Sequence, residues 1–141
     1  MLLAGLSRIY SMDNRQTIPS QWSEFNQYQG TVTNQKGPDA YGVAYNSDEE
    51  GNFEYLTAIE VTSFTGLNAR YQRLRLAAQK FAVFRTHQHI SAMQPFMHAI
   101  WNTWLPNSGF QIADASTVEH YGAGFDGQSG NGGFEVWLPV T

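Results

Sequence analysis

The sequence predicts an α+β fold: a duplicated β-α-β-β unit with pseudo-two-fold symmetry, an antiparallel sheet, two main helices and a cleft between the halves. Three observations lead there. Two segments carry apolar residues at helical spacing, and the segments around them are short and rich in aromatic and β-branched residues. The second half of the chain then repeats the order of the first. With 141 residues and no cysteine, the chain is long enough to bury a sizeable core without disulfides. Residues 1–141 read as one domain, with half-repeats at about 1–63 and 79–141.

Each element has its own warrant. Ile18, Trp22, Phe25 and Tyr28 form one apolar stripe, and Pro19 sits in the first turn, where its missing N–H costs little. In the second helix Ile90, Met93, Met97, Ile100, Trp101 and Trp104 share a face. Ser91 is its expected N-cap, Pro95 falls early and bends the start, and Pro106 ends it. Strands are expected at residues 2–6, 41–45, 53–61, 81–85, 118–125 and 134–140. Gly/Asn/Asp clusters at 46–52 and 126–133 read as hairpin turns, the second glycine-rich enough for a flexible tip. Tyr41-Gly42 and Tyr121-Gly122 lie 80 positions apart, and residues 55–61 overlie 134–140 at an offset of 79. Ligand sites favour the seam between such halves.

Composition narrows the function. A net charge of −4 argues against direct binding of nucleic acid, whose footprint is a basic face. Arg70, Arg73, Arg75, Lys80 and Arg85 do cluster, and read as a solvated linker, with a protein-partner surface as the alternative. Aromatic residues match charged ones at 14% each, a balance that favours apolar pockets or partner surfaces. The apolar opening at residues 1–6 is too short for a signal peptide, and no run reaches membrane-spanning length. The expected location is the cytoplasm.

Glu135 is the leading candidate site residue. Its strand alternates, with Phe134, Val136, Leu138 and Val140 on one face and Glu135 with Trp137 on the other. That second face is either solvent or covered. If it is covered, an unpaired carboxylate among rings has a raised pKa, as high as about 8 to 9 in documented buried cases. An arriving cation would then supply the missing charge, with a cation–π contribution of roughly 0.5 to 2 kcal/mol. Trp22, Trp101 and Trp104 are core residues by default; the alternative makes a helix-borne Trp, Trp101 first, a pocket wall. His87 and His89 have the spacing of a metal pair without a third ligand, and His98 and His120 stand alone. No nucleophile elbow or phosphate loop is present. No cofactor, metal or catalytic residue is assigned.

The chain resembles the GyrI-like, or AraC/MerR-type, effector-binding domains. The resemblance runs through Ile18-Pro19 with Trp22 and Phe25, Tyr41-Gly42-Val43, and Tyr55 through Glu60-Val61. It continues through residues 78–84, His89-Ile90-Ser91, Ala99-Ile100-Trp101 with Trp104-Leu105-Pro106, and Glu135-Val136-Trp137-Leu138-Pro139-Val140. It is similar to free-standing members, including those carried as integron gene cassettes. The resemblance implies a duplicated strand-helix-strand-strand fold and a ligand cleft between the halves, lined by aromatics and holding an acid that pairs with cationic amphiphilic, multidrug-type ligands. Glu135 matches that acid, and Trp137, Trp101, Tyr41 and Tyr45 match wall positions, with Trp22 a further candidate. Ala77, Gln88 and Pro95 depart from the family pattern, and the first strand looks clipped. The expected function is binding of small hydrophobic, cationic organic molecules, for regulation or sequestration. The alternatives are a hydrolase using Glu135 as general base, and an interaction module for gyrase or a separate regulator through residues 70–85.

Overall fold

In the computed structural model, which describes all residues from Met1 to Thr141, the alternating segments fold into two units, Met1–Ala78 and Gln79–Thr141. The first contains β1 (Leu2–Tyr10), α1 (Ile18–Asn26), β2 (Gln35–Tyr45), β3 (Phe53–Val61) and β4 (Gln72–Arg75). Its strands are antiparallel in the order β4-β1-β3-β2. Strand β1 outruns the expected residues 2–6 because it pairs with β3 along its whole length, from Leu2 opposite Val61 to Tyr10 opposite Phe53. The register brings β1 and β3 so close at Gly5 that an added Cβ would lie 1.7 Å from the Thr57 carbonyl oxygen. Only glycine fits.

Helix α1 lies on one face of this sheet, and Phe25 packs there with Ala4, Val32, Ile59, Val61, Leu67 and Tyr71. Gln21, fully buried on the same helix, ties it to the strands. Its amide donates to the Leu6 and Tyr55 carbonyls at 2.7 and 2.9 Å, and its carbonyl accepts from the Tyr10 hydroxyl at 2.6 Å. The face away from α1 is also withdrawn from water, since Leu3, Val43, Leu56 and Ala58 are fully buried.

Strand β4 was not expected, and it corrects the reading of residues 70–85 as a solvated linker. Its residues Gln72-Arg73-Leu74-Arg75 have no strand-like apolar pattern; main-chain pairing with β1 makes the strand, from Gln72 opposite Gly5 to Arg75 opposite Leu2. The cations of this region are individually occupied. Arg70 lies 5.0 Å over the Tyr28 ring, Arg75 5.8 Å over Phe64 and Lys80 5.0 Å over Phe110, and Arg73 donates to the Leu67 carbonyl.

The second unit contains β5 (Phe81–Thr86), a helical segment, β6 (Thr117–Tyr121) and β7 (Phe134–Pro139). Strand β7 pairs antiparallel with both of the others, as β3 does with β1 and β2. The helical segment is a 3-10 turn at Ile90–Ala92, α2 (Met93–Ala99), a π turn at Ile100–Trp104 and α3 (Leu105–Ser108). Its N-cap is His89 rather than Ser91: the imidazole Nδ1 accepts from the Ser91 amide at 3.1 Å. Pro106 does not end the helix. The Leu105 amide reaches back five residues to the Ile100 carbonyl, and this wider turn accommodates the proline ring in the turn that follows. The end comes at Gly109, in the left-handed conformation at φ 78°.

Strand β6 stops at Tyr121, short of Phe125. The glycine-rich loop beyond it is closed rather than a flexible tip. Asp126 exchanges main-chain hydrogen bonds with Asn131 and Gly130, and the Gly130 carbonyl accepts from the Ile90 amide. Side chains at Gly132 and Gly133 would collide with the Gly124 and Thr86 carbonyls at 2.1 and 2.3 Å. Close packing explains these glycines.

Replacing Gln21 with Leu strands the Tyr10 hydroxyl in a buried site. We expect a loss of about 1–3 kcal/mol in urea unfolding, and an unchanged midpoint would show that the amide is not a structural tie. Gly5→Ala is expected to cost about 1–3 kcal/mol or more through overpacking.

Candidate functional site

Strand register builds the site. Glu135 lies on the central strand β7, and each neighbour places one polar residue directly opposite it: Arg85 on β5 and His120 on β6. Directly opposed residues share a face, so Arg85, Glu135 and His120 form a row across three strands. The next row on that face is Val83, Trp137 and Val118. Val118 and Pro139, also on this face, are fully buried while Val83 is 53% exposed, so the face is covered at Val118 and Pro139 and open at Val83.

The two carboxylate oxygens of Glu135 have different partners. Oε1 accepts from His120 Nδ1 at 2.8 Å and from the Trp137 indole N–H at 3.0 Å. Oε2 accepts from Arg85, at 2.6 Å from Nε and 2.5 Å from its terminal nitrogen. The Glu135 side chain is 14% exposed, while that of Arg85 is 69% exposed. Trp137, which donates to the carboxylate, has its ring centre 5.5 Å from that of His120 and 5.7 Å from that of Phe81.

These partners overturn the expectation of an unpaired carboxylate with a raised pKa. Burial pushes the Glu135 carboxyl up, but hydrogen bonds from His120, Trp137 and Arg85, with the charge of His120, outweigh it and hold the group at about 2, below its ordinary 4.5. The group is a preorganised anion. So acidic a carboxyl is a weak base near neutral pH.

The remaining candidates are distributed over both units. Trp101 lies in the π turn and is 39% exposed. Its helical segment packs on the other face of β5–β7, where Phe96 meets Phe134 at 5.4 Å and Trp104 meets Phe84 at 4.8 Å. Ile100, the expected companion of Trp101, is buried instead. Three candidates belong to the first unit. Tyr41 is buried, and Tyr45 shares a hydrogen bond with Ser7 at 2.9 Å, its phenol raised by burial. Trp22 donates to the Tyr55 hydroxyl at 3.1 Å and packs edge-on against Phe25 and Tyr55. His89, read earlier as half of a metal pair, has both ring nitrogens in use, with Nε2 2.7 Å from the Ser129 carbonyl oxygen.

Sequence reasoning missed Arg85 and His120 as partners of Glu135, and it missed a second acid. Glu119 stands opposite the fully buried Val136, on the face that carries α2. Its carboxylate accepts from the buried Tyr121 hydroxyl at 2.7 Å. The alternation Glu119-His120-Tyr121 was the available signal: it places the acid and the phenol on one face and the imidazole on the other. Two surface concavities lie elsewhere, one of about 280 Å³ beside Arg8, Arg70 and Tyr71, the other of about 590 Å³ beside Leu105, Phe110 and Ile112.

A strand-helix-strand-strand arrangement in each unit defines a mixed α+β domain with antiparallel strands. The model of the GyrI-like small molecule binding domain matches residues 1–141, and the chain belongs to that family. Solved structures share the fold at low identity. SAV2435, in a structure described as bound to tetraphenylphosphonium, is 21% identical with a TM-score of 0.78, over 100% of this chain and 88% of that one. A putative bacterial transcription regulation protein from Staphylococcus aureus MU50 is 20% identical at 0.74, over 100% and 92%. An integron cassette protein from the mobile metagenome of Vibrio cholerae is 17% identical at 0.72, over 100% and 90%. Among curated protein sequences none matches the chain. No helix is long and apolar enough to cross a membrane.

The depressed pKa has a signed consequence. Since the folded value of about 2 lies below the ordinary 4.5, Glu135 contributes stability above about pH 4.5 that is lost as pH falls towards 2. Glu135→Gln is therefore expected to flatten the acid limb of stability, read by urea unfolding at about pH 6 and pH 3. Equal acid sensitivity in both proteins would show that the ionised network does not stabilise the fold.

Proposed function

We propose that this small-molecule-binding domain takes hydrophobic organic cations, with Glu135 as the ionic contact and Trp137 and the His120 ring beside it. The observation that carries the reading is a largely covered carboxylate, kept ionised by its hydrogen bonds and bordered by rings. An organic cation gains Coulombic attraction there, with roughly 0.5–2 kcal/mol from the Trp137 ring face. Its apolar surface adds about 25 cal/mol per Å² removed from water. The tetraphenylphosphonium of the SAV2435 structure is a ligand of this chemistry. Trp101, Tyr41, Tyr45 and Trp22 are wall candidates, each testable by a single substitution. The biological use is regulation or sequestration.

A second position for the ionic contact is favoured by one observation. Glu119 faces the aromatic side of the second unit, with Tyr121 donating to it. The acid contact is thus assigned by comparing two variants.

Titration of the chain with tetraphenylphosphonium by calorimetry, against neutral triphenylphosphine oxide, is the test. Binding of the cation with weak or no binding of the neutral compound is expected. Glu135→Gln is expected to weaken the cation about tenfold, roughly 1.4 kcal/mol, through loss of the Coulombic attraction between carboxylate and phosphonium. A loss in Glu119→Gln alone would move the contact to that residue. Equal affinities for the two compounds would end the cation reading.

A further inference from the structure

The pairing of Glu135 is divided between its two oxygens. Oε1 is held by His120 and Trp137, both on strands of the same sheet, and that side of the carboxylate is covered. Oε2 is held by Arg85, whose side chain is 69% exposed. Arg85 comes from β5, which pairs with β7 along one side. The two halves of the network therefore differ in how easily they part. An exposed ion pair contributes little net stability, because water solvates both charges when it opens and the long side chain regains its rotamers. The indole and imidazole donors are fixed by packing against each other, with ring centres 5.5 Å apart.

We propose that Arg85 is a built-in counter-cation that competes with the ligand for Glu135 Oε2, and so sets the threshold affinity of the site for cations. This rests on the assignment of Glu135 as the ionic contact. Without ligand, the guanidinium neutralises the carboxylate and closes over it. A ligand cation replaces the guanidinium at Oε2, while His120 and Trp137 keep Oε1 in place, so the acceptor needs no reorganisation. Arg85 then swings into water, where most of its surface already lies. A neutral molecule of the same shape does not compete for Oε2 and leaves the ion pair closed. The arginine thus lowers affinity for every cation and bears little on neutral ligands.

Arg85→Gln removes the competitor and the repulsion it exerts on an incoming cation. We expect it to bind tetraphenylphosphonium about three- to tenfold more tightly than the unmodified chain, with affinity for triphenylphosphine oxide changed less than twofold. Arg85→Lys, which keeps the charge, is expected to stay near the unmodified value, and it controls for loss of packing. In the double variant Arg85→Gln with Glu135→Gln the gain should vanish, because the competition has lost its object. The outcomes separate the two ideas. If Glu135→Gln weakens the cation and Arg85→Gln does not strengthen it, Glu135 stands as the contact and the competition model falls. If Glu135→Gln leaves cation binding unchanged, the assignment of Glu135 falls, and the Arg85 proposal with it. A gain in Arg85→Gln that persists in the double variant also overturns the proposal, as Arg85 would then act somewhere other than Glu135. Should Arg85→Gln unfold, Arg85→Lys and Arg85→Met are measured in its place, with the same contrast between charged and neutral ligands.

Discussion

A carboxylate taken largely out of water must be given back its lost hydrogen bonds, or it takes up a proton. At Glu135 the repayment is made by strand register. Fixing β5 and β6 on either side of β7 puts Arg85 and His120 directly opposite the acid, and the pleat brings Trp137 to its side, two residues along the strand. A slip of one residue in either pairing would send a donor to the other face of the sheet. The same alternation assigns the opposite face to Phe134, Val136 and Leu138, all buried. Core packing on one face therefore sets the electrostatics of the other.

The first unit meets the same demand without charge. Gln21 reaches from its helix to the Leu6 and Tyr55 carbonyls and accepts from Tyr10. It is a neutral, fully satisfied polar group in a dry place. The two units thus share a strand-helix-strand-strand plan yet differ in their buried polar centres: a structural amide in one and an ionised network in the other. Only the ionised network has a partner, Arg85, that can leave at low cost.

Much of the fold was legible, and the reasons are specific. Strand β3 was read at its observed limits because Phe53–Val61 has a dense apolar pattern. The stripe from Ile18 to Phe25 marked α1, with Pro19 at its start. Strand β4 was illegible because main-chain bonds alone make it, and the π turn because hydrophobic spacing assumes α-helical geometry throughout. Burial of the Glu135 face was one of two open readings, and alternation could not choose between them. The error on its pKa came from what alternation omits. It shows that Glu135 and Trp137 share a face, but not that Arg85, 50 residues away, and His120 stand across from them. Cross-strand partners become readable only once register is known.

The central claim is that a preorganised, ionised Glu135 receives the ligand cation. The most direct measurement is a crystal structure of the chain grown with tetraphenylphosphonium. The phosphonium should lie against Glu135 Oε2, with Arg85 turned into solvent and the His120 and Trp137 bonds to Oε1 intact. Ligand bound elsewhere, with the Arg85–Glu135 pair undisturbed, would contradict the account.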